Sequence, residues 1–135
     1  MLSARLKAIV DSLPLAPGQR ILEIGCGTGA AAREVASRIG SGYVLGIDRS
    51  PRAIAQATAL SDGARLSFRT VAVEDFALEP DEEPFDLAFA VRVGALDGRH
   101  PELQQAALRR ICEALAPHGR LFIDGGDPLR EITLR

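Results

Sequence analysis

In the stretch ILEIGCGTGAAAREVA, Ile21 to Ala36, the acidic Glu23 is followed by glycines at every second position, Gly25, Gly27 and Gly29. Glycine tolerates positive φ and lets a ligand approach the backbone closely. A helix beginning directly after such a loop adds free amides. Three alternating glycines are a large conformational cost for a turn that only turns, so a ligand lying against this backbone is expected. The spacing leaves that ligand open, because GCGTGA also fits the G-x-G-x-x-G/A pattern of dinucleotide sites. Asp48 does not decide the matter: it lies about 20 residues further on, where a carboxylate accepts hydrogen bonds from a sugar diol in either case. Glu23 discriminates. A carboxylate two residues before the first glycine would repel a pyrophosphate, and burying it is costly unless a cation such as an ammonium group offsets it.

The elements that must position these residues follow from periodicity. Leu2, Leu6, Ile9, Val10 and Leu13 keep helical spacing until Pro14 and Pro17-Gly18. Arg20–Ile24 reads as a short buried strand and Ala30–Ile39 as a helix closed by Gly40. Tyr43–Ile47 is a second strand, and Ser50-Pro51 caps a helix running to about Leu60. Leu66, Phe68 and Thr70 alternate with polar residues in a third strand, and Phe85–Val91 is a fourth. Pro101–Leu115 is helical, and Pro117 with Gly119 turns the chain into a fifth strand, Arg120–Asp124. Such alternation implies an α/β fold, a doubly wound parallel sheet with helices on both faces and right-handed crossovers. In these sheets ligands bind beyond the carboxyl ends of the strands, where Gly25, Asp48 and Arg92 all fall.

Size and composition narrow the function. The 135 residues are read as one domain, residues 1–135, with 47% hydrophobic and 25% charged content. A net charge of −2, with arginines scattered and Lys7 the only lysine, argues against nucleic acid or an anionic membrane as partner. Cys26 and Cys112 match no metal or redox spacing, so free thiols in a reducing, cytoplasmic setting are expected. No segment is long and apolar enough to span a bilayer, and the N-terminus lacks a signal-peptide core. The acidic run EPDEEP, Glu79 to Pro84, reads as a solvated loop.

Four blocks in order now resemble the class I S-adenosylmethionine-dependent methyltransferases. LEIGCGTG looks like their first motif, and VLGIDRSPRAI like the second strand ending in the ribose acid. EPFDLAFA is similar to their fourth strand, and LRRICEALAPHGRLFID to the helix, turn and fifth strand. The resemblance implies a Rossmann-like three-layer sandwich with strand order 3-2-1-4-5, truncated after strand 5, although Ile132 and Leu134 could add one short strand. It implies S-adenosylmethionine as cofactor and S-adenosylhomocysteine as product. By it, Gly25, Cys26, Gly27 and Gly29 wrap the methionine part, Glu23 supports the loop or reaches the ammonium through water, Asp48 takes both ribose hydroxyls, and Arg49 lies beside the adenine. Ala72 stands where the family often has an acid for the adenine amino group. Glu74 or Asp75 would supply that contact instead, with Val73 or Glu74 giving the amide to the ring.

A sulfonium methyl is already activated, so placing the nucleophile in line supplies much of the catalysis. The segment AVRVGALDGRHPEL should border that site. Arg92 could clamp a carboxylate or phosphate, and Asp97 or His100 could act as base. His118 reads as structural. No Asn/Asp-Pro-Pro-Tyr follows the fourth strand, neither cysteine is placed like a pyrimidine nucleophile, and no acid trio implies a metal. The expectation is therefore a methyltransferase with a small-molecule acceptor. Its rivals are a non-catalytic cofactor-binding or partner subunit and an NAD-dependent oxidoreductase. A poorly protected sheet edge near the C-terminus raises the further expectation of a homodimer.

Overall fold

The computed structural model describes residues 2–61, 63 and 65–134. Its six strands are β1 (Arg20–Ile24), β2 (Tyr43–Asp48), β3 (Leu66–Thr70), β4 (Phe85–Ala90), β5 (Leu115–Asp124) and β6 (Leu129–Ile132). They form one sheet in the order β3-β2-β1-β4-β5-β6. All pairings are parallel except β5 with β6. The helices are α1 (Ala4–Ser12), α2 (Ala30–Ala36), α3 (Pro51–Ala59) and α4 (Pro101–Ala114), and Val73–Asp75 forms one 3-10 turn after β3.

Side chains alternate across each strand, and the two layers of core follow from that. Ile21, Val44, Leu87 and Phe89 face the side covered by α1 and α2, where Val10, Leu13, Ala32, Val35 and Ile39 meet them. Leu22, Ile24, Leu45, Ile47, Ala88 and Ala90 face the other side, against Ala107, Ile111 and Ala114 of α4 and Phe76 below the 3-10 turn. Glu23 shares the parity of Ile21 and so points toward α2, into a layer that is otherwise apolar.

The expected helix start at Ser50-Pro51 is confirmed by its cap, and Ser3 caps α1 so that Leu2, read into that helix from its spacing, precedes it. Ser50 Oγ accepts from the Ala53 amide at 3.1 Å, with Pro51 in the first turn, and Ser3 Oγ accepts from Leu6 at 3.2 Å. The expected order 3-2-1-4-5 is observed, and the sheet then continues rather than ending at strand 5. The added strand is β6, Leu129–Ile132, with Leu134 outside it. Two boundaries shift by three residues or more. The regular part of α2 stops at Ala36, before Ile39. β5 begins at Leu115, directly after α4, and its register breaks between Phe85↔Leu115 and Leu87↔Arg120, so the APHG segment is a bulge within the strand. The acidic run is not wholly solvated either: Glu82 makes a paired contact with Arg69, 2.9 Å at the shorter arm, and Arg69 lies over the Phe76 ring.

Candidate active site

A cleft of about 300 Å³ opens at the carboxyl ends of β1, β2 and β4. Its floor is Ile24, Gly25 and Ile47; Asp48, Arg49, Val73 and Glu74 line one side, and Arg92, Val93, Arg99 and His100 the other. β1 lies between β2 and β4 in the sheet, so the glycine loop sits at the switch point where the strand order reverses.

The loop is organised by hydrogen bonds to β2. The Cys26 amide donates to the Ile47 carbonyl at 2.9 Å, and the Gly27 amide donates to Asp48 Oδ2 at 2.9 Å. Asp48 Oδ1 accepts from the Ser50 amide, also at 2.9 Å. Each carboxylate oxygen thus holds one amide and keeps a lone pair for a ligand. Gly25, Gly27 and Gly29 all adopt positive φ, +69°, +56° and +85°, as the bare spacing requires. Only Gly25 lines the cleft itself. A Cβ at Gly29 would lie 2.7 Å from Phe68 Cζ, so this glycine permits close packing at the start of α2. Cys26 is buried, and burial pushes its thiol pKa far up. It is a packed residue of the loop, not a nucleophile.

Glu23 is 3% exposed, and Oε1 has no hydrogen-bond partner among the described residues. Burial raises its pKa to about 8, and the nearby Asp48 charge adds to that. The Ala32 backbone and the Arg33 guanidinium favour the charged form but do not overcome burial. An orphaned buried carboxyl beneath a ligand loop has the chemistry to face a cationic group.

The adenine-side candidates separate by position. Val73 and Glu74 line the cleft together with Ala72, whereas Asp75 is exposed and outside it. Of the acceptor-side candidates, Arg92 and His100 line the cleft and Asp97 does not. Asp97 accepts from Arg99 Nε at 3.1 and 3.0 Å on its two oxygens, and this contact lowers its pKa. A carboxylate held in that way is a weak base. His100 is exposed, packs its ring on Gly94, and has Nδ1 3.6 Å from Glu102.

Arg99 and Asp124 were not singled out from the sequence, and both act on Arg92. Arg92 has φ +55°, a left-handed conformation outside glycine that costs of order 1–3 kcal/mol. Asp124 Oδ1 accepts its amide at 3.1 Å, and Arg99 Nη2 donates to its carbonyl at 2.6 Å. Asp124 is held in turn by Arg5 of α1 at 3.0 Å. The only signal was position, Asp124 at the end of β5 and Arg99 in the segment between β4 and α4. Nothing in GALDGRH distinguishes Arg99 from a surface arginine.

A cleft at the switch point, entered by a glycine loop that is tied to the Asp48 carboxylate and follows a strand carrying the buried Glu23, is the arrangement of a Rossmann-like ligand-binding fold. The chain belongs to the methyltransferase domain family, whose model matches residues 21–119. It is 33% identical over 127 residues to the trans-aconitate 2-methyltransferase of Methylobacterium nodulans, covering 94% of this chain and 46% of that protein. It is also 33% identical over 127 residues to the protein-L-isoaspartate O-methyltransferase of Methylorubrum populi, covering 94% of this chain and 54% of that one. Among solved structures, phosphoethanolamine N-methyltransferase 2 of Haemonchus contortus, in complex with S-adenosyl-L-methionine, is similar with a TM-score of 0.71 and 30% identity. That match covers 88% of this chain and 27% of the other. The chain spans about half the length of the curated relatives it matches.

Proposed function

We propose that this chain binds S-adenosylmethionine in the cleft and catalyses transfer of its methyl group to a small-molecule acceptor. The observation that carries the reading is the buried Glu23, with one oxygen unsatisfied, beneath a glycine loop tied to Asp48. The residues present fit that cofactor. Asp48 has the lone pairs for two ribose hydroxyls, Glu23 suits the ammonium, Gly25 leaves the backbone bare, and Val73 with Glu74 suits the adenine edge. The match to a methyltransferase domain over residues 21–119 disfavours NAD. When bound, S-adenosylmethionine supplies a methyl group already activated on sulfur.

The protein's own contribution is placement. The Arg92 side of the cleft receives the acceptor and holds it near the cofactor, and proximity of this kind accounts for several kcal/mol of barrier lowering. Where the acceptor arrives protonated, His100 is the base within the cleft, because Asp97 is held by Arg99. A small-molecule acceptor is supported by the scattered arginines and by the absence of a basic run in the sequence. The test is formation of S-adenosylhomocysteine from S-adenosylmethionine across a panel of small acids, phenols, amines and peptides. Acceptor-dependent turnover with a small molecule supports the proposal. Tight cofactor binding with no turnover across the panel overturns the catalytic part in favour of a non-catalytic cofactor-binding subunit.

A further inference from the structure

The cleft is electrically divided. On the β2 and β3 side its charged residues are Asp48, Arg49 and Glu74, two acids to one base. On the β4 side they are Arg92, Arg99 and His100, and no acidic residue lines that wall. The charge there is partly spent: Arg99 is matched by Asp97 at 3.0 Å. The Arg92 guanidinium has no hydrogen-bond or ion-pair partner among the described residues. One unmatched guanidinium remains on this wall; Arg49, likewise without a side-chain partner among the described residues, stands on the opposite, acidic wall.

The backbone shows that this guanidinium is placed. Arg92 is held at φ +55° from both sides, its amide by Asp124 of β5 and its carbonyl by Arg99. Strain that surrounding groups maintain marks a position whose side-chain direction matters. A planar guanidinium presents paired donors that match a carboxylate bidentately. One unmatched positive charge balances one carboxylate, whereas a phosphate dianion would leave a negative excess.

Resting on the cofactor reading above, we infer that the methyl acceptor carries a carboxylate that Arg92 receives, with Arg99 fixing the Arg92 backbone beneath it. The acceptor is thus a small organic acid whose reacting atom lies away from that anchoring group. Arg92 is an acceptor-binding residue and Arg99 a positioning residue.

The test is a calorimetric titration of the protein saturated with S-adenosylhomocysteine. The probes are malonate, succinate, tricarballylate and inorganic phosphate, each beside its neutral methyl ester. At least one carboxylate is expected to bind while its ester does not. Arg92→Gln should weaken that carboxylate tenfold or more, Arg92→Lys should recover part of the loss, and both should keep S-adenosylhomocysteine affinity within about twofold. Arg99→Ala should weaken the carboxylate with the product affinity again unchanged. The inference is overturned if no carboxylate binds the product-loaded protein, if the ester binds as well as the acid, if phosphate alone binds, or if Arg92→Gln changes nothing. Failure of S-adenosylhomocysteine itself to bind overturns the cofactor reading, and this inference with it.

Discussion

The Gly27 amide donates to Asp48 Oδ2 at 2.9 Å, so the glycine loop and the Asp48 carboxylate are one unit. The loop cannot shift without releasing Asp48, and Asp48 cannot turn toward a ligand without the loop. This coupling holds the carboxylate in place before any ligand arrives, which lowers the entropy cost of binding.

Asp48→Ala should therefore act twice. Loss of charge-assisted hydrogen bonds, each worth about 1.5–3 kcal/mol, should weaken S-adenosylhomocysteine at least tenfold by calorimetry. The Gly27 and Ser50 amides also lose their acceptor, so stability in urea should fall by about 1–3 kcal/mol. Unchanged affinity would move the ribose elsewhere.

The glycines of the loop should separate stability from strain. Gly29→Ala combines φ +85° with a Cβ 2.7 Å from Phe68 Cζ and should cost several kcal/mol, since overpacking and left-handed strain add. Gly27→Ala, at φ +56° with nothing within 4 Å of the new Cβ, should cost only about 1–2 kcal/mol. Chemical denaturation of the two variants checks the order, and equal losses would contradict it.

Glu23 sets a pH dependence whose sign is fixed by its raised pKa. Folding holds its proton up to about pH 8, whereas the unfolded chain releases it near 4.5. The folded form binds more protons in that window, so this group's stabilising effect is full below pH 4.5 and is lost as pH rises toward 8, at up to about 1.4 kcal/mol per pH unit. Glu23→Gln should flatten that slope in denaturation curves from pH 5 to 8. A cationic ligand above Glu23 favours its ionised form. Binding of S-adenosylhomocysteine at pH 7 should therefore release protons, detected as a heat that depends on the buffer. An unchanged slope in Glu23→Gln would place the titration elsewhere.

Arg92→Gly should relieve the left-handed strain while removing an exposed side chain. Stability should rise by about 0.5–1 kcal/mol. A loss in thermal or urea unfolding would mean that the arginine side chain packs in the fold and is not simply carried by it.

Much of this arrangement was legible in the sequence where local rules decide. Ser50-Pro51 announced a helix, the alternation of strands with helices announced a sheet covered on both faces, and Glu23 with three glycines announced a ligand loop. The strand order was implied by the family resemblance rather than by any single segment. What escaped depended on contacts distant in sequence. β5 starts five residues before Arg120 because its first residue pairs Phe85 across a bulge, which periodicity does not record. Asp97 read as a base until Arg99, two residues on, proved to hold it. Arg5 supports Asp124, 119 residues away, and no spacing rule joins an amphipathic helix to the end of the fifth strand. Asp75 and Glu74 are adjacent and chemically alike, and only the 3-10 turn sends one into the cleft and the other to solvent.

The central claim is that this cleft holds S-adenosylmethionine. Its most direct measurement is a calorimetric titration of the protein with S-adenosylhomocysteine, run beside an identical titration with NAD. Saturable heat at one site per chain with S-adenosylhomocysteine, lost in Asp48→Ala, and none with NAD is the predicted result. No heat with S-adenosylhomocysteine, or binding of NAD in its place, would contradict it.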